Sequence, residues 1–380
     1  MKVPLFRRIA FALAAPLAAT LFAVAITSLV LVLAGSDPVE TFRLMFDNGR
    51  KLETFVDTLN RGTPLYISAV AAAIGFRMNL FNIGVEGQYI LAAFAAAVIG
   101  AQVSLPGPLH VLTIVLTAMV VGAAFSGFAG VLKVTRGVNE VISTIMLNSI
   151  VLAGFIPGLL PRFIDDPTAA NQGTGTIAES GWIPNLNWLL QLVTRDISKG
   201  RKLTGVFAFA LLVGIVYHVV VNRTRIGFDL RASGMNPFAA RAGGVPPKRM
   251  VVLVMVASGA IAGLVGMPEI LSDSHAYDQG FIQGLGFAGI AVALLGRNNA
   301  GGMAIAALLF AFLDSSSAVL QVSGSTSQEI VTIMQGILLL AAVIAYQVVN
   351  RIRQADEIRR AAELTAVADP SAPTALGATA

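Results

Sequence analysis

The feature that most constrains this chain is the return, again and again, of apolar runs long enough to cross a bilayer. They begin with IAFALAAPLAATLFAVAITSLVLVLAG near the N-terminus and recur as far as ILLLAAVIAYQVV at 337–349. A membrane helix needs about 20 mostly apolar residues. Only 12% of the chain is charged, against about a quarter in soluble domains. The runs are too continuous for the alternating pattern of outer-membrane barrel strands. An all-α polytopic membrane protein is expected.

Ten spans fit, at about 9–34, 62–78, 84–104, 108–132, 140–160, 203–221, 250–271, 281–296, 300–320 and 329–349. With the N-terminus inside, the inner segments collect Arg77, Lys133, Arg136, Arg297 and the six basic residues from Arg223 to Arg249. The terminal segments add Lys2, Arg7, Arg8, Arg351, Arg353, Arg359 and Arg360 to the inner set, and the other nine of the 26 Lys and Arg lie in two long outer loops, 35–61 and 161–202, with nearly as many acids beside them. The bias predicts both termini in the cytoplasm of a multi-pass membrane protein. The first run follows MKVPLFRR in signal-peptide charge order but exceeds the usual 7–15-residue apolar core, so it reads as an uncleaved span. Residues 1–360 then form one transmembrane domain. The tail 361–380, poor in bulky apolar residues, reads as disordered. Trp182 and Trp188 in the second outer loop predict a short interfacial helix near 185–194.

Several chemistries are missing from the sequence. There is no cysteine, so thiolate metal sites and disulfides are excluded. The three histidines, His110, His218 and His275, lie in no ligand spacing, and no metal is expected. Gly-Lys never occurs, which rules out a phosphate loop of the G-x-x-x-x-G-K-[ST] type. Gly284, Gly286 and Gly289 do spell G-x-G-x-x-G, but a membrane span follows them where a dinucleotide site needs a βαβ unit. They read instead as permitting close backbone packing at a helix entrance. No cofactor and no enzymatic site are expected in this chain.

Against this apolar background, FNIGVEGQ (81–88) is conspicuous. Asn82 is expected to cap the third span, with Gly84 and Gly87 allowing close approach. Glu86 falls in the first turn, where the helix dipole favours a carboxylate. A polar helix entrance of this kind is tolerated at membrane depth only when buried in protein or lining a cavity. Further on, Glu140, Thr144 and Asn148 recur at i, i+4, i+8 and share one helical face, with Asn139 and Ser143 beside them. An acid facing lipid costs about 2.5–3.5 kcal/mol or more, so this stripe faces other helices or a water-filled path. Two roles stay open: lining a solute pathway, or hydrogen-bonding between spans. QEIVTIMQ (328–335) echoes NEVISTIMLN (139–148), which suggests an inverted repeat with Gln328, Thr332 and Gln335 as the counterpart stripe. Asn82, Glu86, Gln88, Asn139, Glu140, Thr144, Asn148 and Gln335 are the candidate pathway residues. Phe81, Tyr89 and Phe287 are candidates for stacking on a base.

The longest inner loop, 223–249, carries six basic residues against one acid, Asp229. Within it 236–243 reads as a complete short helix: Asn236 at the N-cap, Pro237 at the first position, Gly243 at the stop. Pro246-Pro247 bars continuation. Capping at both ends implies that the shape matters, and small Ala faces would let another protein approach closely. The alternative is a positive-inside loop with an incidental turn.

The run RIGFDLRASGMNPFAARAGG (225–244) resembles the coupling region of permeases in bacterial ABC importers. FNIGVEGQ, NEVISTIMLN and GFAGIAVALLGRNN (286–299) resemble the nucleoside branch of the simple-sugar and nucleoside permeases, over roughly residues 60–350. Two departures are Ala300, where proline often stands, and Val245, where isoleucine is usual. The resemblance implies docking of a separate ATPase subunit through Arg231, Gly234, Asn236, Pro237, Ala239, Ala240, Arg241 and Gly243. It also implies that ATP is bound by that partner, that a second permease chain completes the path, and that an extracytoplasmic binding protein delivers solute. A nucleoside is the expected cargo, with a ribose- or galactose-type sugar as runner-up. An ion-coupled secondary transporter acting alone is the competing class. A membrane-embedded hydrolase fails for want of a nucleophile–base pair.

Overall fold

The computed structural model describes residues 21–166, 168, 172–191, 201–322, 330–337, 339–341, 344 and 351. The chain divides into two compact units, residues 1–44 with 320–380 and residues 45–319. Among the described residues the fold is helical, and the only extended pairing is two isolated bridges.

The first unit holds α1 (Leu21–Leu33) and most of α2 (Pro38–Gly49). Asp37 caps α2 by accepting from Val39 N–H at 2.8 Å. On α1 the buried positions Ala23, Thr27 and Leu31 recur every four residues and form one inward face. Helical residues 330–337 bury Ile330, Val331 and Met334. In the echo of the 139–148 stripe, Thr332 is exposed, Gln335 is half-buried, and Gln328 lies outside the described residues.

The second unit carries the rest: α3 (Leu52–Phe76), α4 (Val85–Gln102), α5 (Gly107–Arg136) and α6 (Glu140–Ile150). A π-helical turn at Val151–Phe155 leads into the four-residue α7 (Ile156–Leu159). Then come α8 (Asn187–Gln191), α9 (Val206–Arg223), α10 (Arg225–Met235), α11 (Pro237–Ala242), α12 (Pro247–Ala262), α13 (Leu285–Leu295) and α14 (Ala300–Val322).

Five helical segments are long and apolar enough to cross a membrane, or six if the bent α1–α2 pair counts as one. The segments at 62–78, 250–271 and 281–296 meet the length requirement less simply. The first is the back half of α3, whose front half carries Glu53, Asp57 and Arg61; α12 spans 16 residues and α13 only 11. Short helices of this kind suit a protein whose inner spans are surrounded by other spans. α4, with two thirds of its length buried, is such an inner helix.

Backbone contact between α5 and α12 forms the tightest seam. Ala118, Gly122 and Ser126 on α5 face Gly259 and, just past the end of α12, Gly263. A Cβ at Gly122 would stand 2.2 Å from the Gly259 carbonyl oxygen, and one at Gly263 would stand 2.1 Å from that of Ala118. Small residues every four positions let membrane helices gain dispersion energy at close range, where apolar burial offers no drive.

The 161–202 loop is clasped, over its described residues, to the α12–α13 connection. Thr174 N–H donates to Tyr277 O at 2.8 Å, Ile177 N–H to His275 O at 2.9 Å, and Ile183 N–H to Leu271 O at 3.0 Å. Trp182 stacks on His275 with ring centroids 3.9 Å apart and donates through Nε1 to Ile177 O, so it pins the clasp. Burial lowers the His275 pKa below its ordinary value. The expected surface helix near 185–194 is present as α8, with exposed Trp188; residues 192–194 lie outside the described residues.

Replacing Gly122 with Leu should destabilise the protein by more than the about 1–3 kcal/mol of ordinary overpacking, because backbone blocks the new side chain. Gly154→Ala, where a Cβ meets nothing within 4 Å, should leave stability unchanged. Thermal melts in detergent read both.

Candidate functional site

The FNIGVEGQ segment joins α3 to α4 inside the bundle. Ser68 on α3 donates to Leu285 O at the start of α13, and Arg77, just past the end of α3, donates to Asn298 O beyond the end of α13. α3 and α13 therefore run parallel. Nine residues at 1.5 Å each separate Ser68 from Arg77, so α13 begins roughly 13 Å in from the α3 C-terminal end. Glu86, in the first turn of α4, reaches that same level.

There the Glu86 carboxylate closes the start of α13. It accepts from Gly284 N–H at 2.5 Å through Oε1 and from Gly286 N–H at 2.7 Å through Oε2, and Tyr89 OH lies 3.1 Å away. Free N–H groups and the positive end of a helix dipole are what a carboxylate best satisfies. Gly284 adopts the left-handed φ of 92° as the N-cap. Gly286 and Gly289 admit the backbone of α4 and Ser68 of α3; a Cβ at Gly286 would lie 2.5 Å from Glu86 N. The G-x-G-x-x-G run thus serves close packing at a helix entrance.

Asn82 is fully buried and forms a reciprocal pair with Gln88: Asn82 Nδ2 donates to Gln88 Oε1 at 2.9 Å, and Gln88 Nε2 donates back to Asn82 Oδ1 at 2.8 Å. Asn82 Nδ2 also donates to Ser258 Oγ at 2.8 Å, and Ser258 passes the bond on to Ala71 O. One side chain therefore ties α3, α4 and α12 together. The helix cap differs from the expected one. Gly84 occupies the N-cap, and Asn82, two residues earlier, accepts from Gly84 N–H.

From α6, Asn148 holds the same junction from the other side. Its Oδ1 accepts from Gly87 N–H and its Nδ2 donates to Ile83 O, both at 2.9 Å. Thr144 is buried and bonds back to Glu140 O. Glu140 is paired with Lys133 of α5, and exposed Asn139 caps α6 by accepting from Val141 N–H at 2.8 Å. Of the eight candidate pathway residues, the structure brings together Asn82, Glu86, Gln88 and Asn148, with Thr144 beside Gly84. In this conformation their polar atoms are engaged with protein. Gln335 belongs to the other unit. Of the stacking candidates, Tyr89 is buried, while Phe81 and Phe287 are about half exposed.

The second cluster is the 223–249 loop. Asn236 caps α11, accepting from Phe238 N–H at 3.0 Å and Ala239 N–H at 3.1 Å, with Pro237 at the first position. The helix stops at Gly243, its C-cap, as expected. Gly243 keeps a right-handed φ of −79°, and Gly244 takes the left-handed turn at 84°. Val245 N–H returns to Ala240 O and Gly244 N–H to Arg241 O, the paired bonds of a Schellman ending.

Ala240 is buried within this chain, whereas Ala239 and Arg241 face outward. The apolar groups actually presented are Phe238, 88% exposed, and Met235, 80% exposed. Sequence reading missed both, although Phe238 lies between two capping signals. It also missed α10, where Arg231 donates to Val221 O and Gly234 packs on Met78. That helix is too polar to stand out as a span.

The chain matches the family described as "Branched-chain amino acid transport system / permease component" over residues 54–343. The chain belongs to this family. Among its relatives, the guanosine ABC transporter permease protein of Bacillus subtilis is 32% identical across 88% of this chain and 93% of its own length. The glucose ABC transporter permease protein of Haloferax volcanii is 29% identical across 86% and 85%. A nucleoside ABC transporter permease protein of Lactococcus lactis is 28% identical across 86% and 90%. No solved structure matches the chain. This is a multi-pass permease subunit of an ABC importer, a transport component that works with an ATPase and a solute-binding protein. The ion-coupled alternative is set aside on that ground.

Glu86→Ala strands two N–H groups at about 1–3 kcal/mol each, and Asn148→Leu removes two bonds across the same junction. Both should lower thermal stability and solute uptake together. A side chain that only touched solute would lower uptake alone, so measuring the two in parallel separates the roles.

Proposed function

We propose that this permease imports a nucleoside across the bacterial cell membrane, driven by ATP bound and hydrolysed on a separate subunit. The identity to the guanosine permease over nearly the whole chain carries this reading. The uncharged Asn, Gln, Thr and Ser set near the α4 entrance also suits a hydroxylated neutral solute. A sugar is the second reading, favoured by the glucose permease at 29% identity.

In this proposal the chain crosses the membrane ten times with both termini inside, and 139–148 and 328–335 are related as an inverted repeat. A second permease chain, alike or different, completes the path. Asn82, Glu86, Gln88 and Asn148 frame the path by holding the α4 and α13 entrances; Asn139, Glu140 and Thr144 continue that frame along α6. Arg231, Gly234, Asn236, Pro237 and Gly243 shape the ATPase docking segment. Ala239 and Arg241 meet the partner beside Phe238, and Ala240 packs the helix onto its own chain. A capped helix presenting a nearly naked Phe238 is a compact anchor for a partner groove.

Two measurements test this. Cells lacking the chain should lose uptake of labelled guanosine and keep uptake of glucose and ribose; the opposite pattern replaces the nucleoside with a sugar. Phe238→Asp should strip the ATPase from the purified complex while the permease itself stays folded. Full retention of the ATPase would remove α11 as the anchor.

A further inference from the structure

The eight residues between α3 and α4 touch both clusters. At the end of α3, Asn79 takes a left-handed φ of 56°, with Leu80 N–H returning to Gly75 O and Asn79 N–H to Phe76 O, a second Schellman ending. That turn points the Asn79 side chain at the docking segment, where Nδ2 donates to Gly234 O at 2.8 Å. Gly234 in turn lies directly on the link's backbone: a Cβ there would stand 2.7 Å from Met78 Cα. Met78 and Leu80 are buried in one apolar cluster with Leu230 of α10, Leu147 of α6, and Met250, Val254 and Met255 of α12.

On the opposite side, Arg77 Nη2 donates to Asn298 O at 2.6 Å and Tyr217 OH to the same oxygen at 2.7 Å. Arg297 and Asn298, which end α13, are both left-handed, at 56° and 53°. The link is therefore attached to α10 and to the end of α13 at one extremity. Through Asn82 and Glu86 it is attached to the start of α4 and the start of α13 at the other.

We propose that this link, residues 77–84, transmits the movement of the docking segment to the α4 and α13 entrances, with Asn79 and Gly234 as its positioning residues. The proposal rests on α11 being the ATPase anchor. The link has no slack to absorb a displacement. Its first half is a closed hydrogen-bonded turn, its Met78 and Leu80 side chains fill a packed cluster, and close-packed interiors pass strain on instead of dissipating it. When α10 shifts, the Gly234–Met78 contact carries the link with it, and Asn82 and Glu86 move the two entrances as one piece. The basic loop thereby acts on solute access through a short segment far from it in sequence.

The test uses the complete importer, purified with its ATPase and binding protein and reconstituted in liposomes. The readout is ATP hydrolysed per solute imported. Asn79→Gly deletes the amide while easing the left-handed turn, and Gly234→Ala wedges the contact open. Both should raise the ratio at least about fivefold, the lower range of measured coupling factors, and Asn79→Gly should do so with solute-stimulated hydrolysis kept. Asn79→Asp, which keeps the turn and loses the donor, should do the same and stands in if a complex fails to assemble. An unchanged ratio, including uptake and hydrolysis falling in proportion, overturns the proposal by reducing the link to a structural part. The ratio is read with whichever of guanosine or glucose the unmodified complex imports, so a wrong cargo leaves this test intact. An unmodified permease that carries no ATPase would instead overturn the docking reading.

Discussion

The second unit depends on one junction, where the Glu86 carboxylate on α4 closes the N-terminus of α13. Two helices start inside the bundle, and each start exposes backbone N–H groups that lipid cannot satisfy. Glu86 meets those of α13, while Asn148 meets the Gly87 N–H of α4. Without these side chains neither helix could begin where it does.

The junction is extended by neutral groups. Asn82, Gln88 and Ser258 pass hydrogen bonds from α4 to α12 and on to the α3 backbone, with Ser126 of α5 at the margin. Buried polar networks are costly when half satisfied and specify one geometry when complete. This one sits where glycines 122, 259 and 263 bring α5 and α12 into backbone contact and glycines 286 and 289 seat α13 on α3 and α4. Close approach and polar ties reinforce each other. Small residues bring the backbones near enough for short side chains to span the gap, and the bonds then hold the helices in register. A permease needs its discontinuous helices to move as defined bodies, and this arrangement defines which parts belong together.

Much of this was legible from residues alone, and unevenly so. The apolar runs announced a helical membrane protein, because transfer into lipid is summed residue by residue along a helix. Asn236-Pro237 announced the start of α11 because capping acts over two or three residues. The same local grammar placed its end at Gly243, with Gly244 supplying the left-handed turn just beyond the cap. The burial of Ala240 could not be read in advance, because a two-turn helix has no periodicity to say which side faces in. The polar α10 escaped notice, since a helix held by its neighbours need carry no apolar stripe of its own.

The sequence by itself determined the class of the protein, most of its helix termini, and the fact that polar residues at 82–88 and 139–148 had to be sheltered from lipid. All of these follow from interactions within a few residues of the chain or from its contact with solvent. Only the tertiary structure decided what shelters them. Glu86 is satisfied by amides 198 and 200 positions away, and Asn79 by a carbonyl 155 positions away. Backbone amides carry no residue-specific signature, so nothing in the letters of the sequence could mark Gly284, Gly286 or Gly234 as the partners. The fold brings them there.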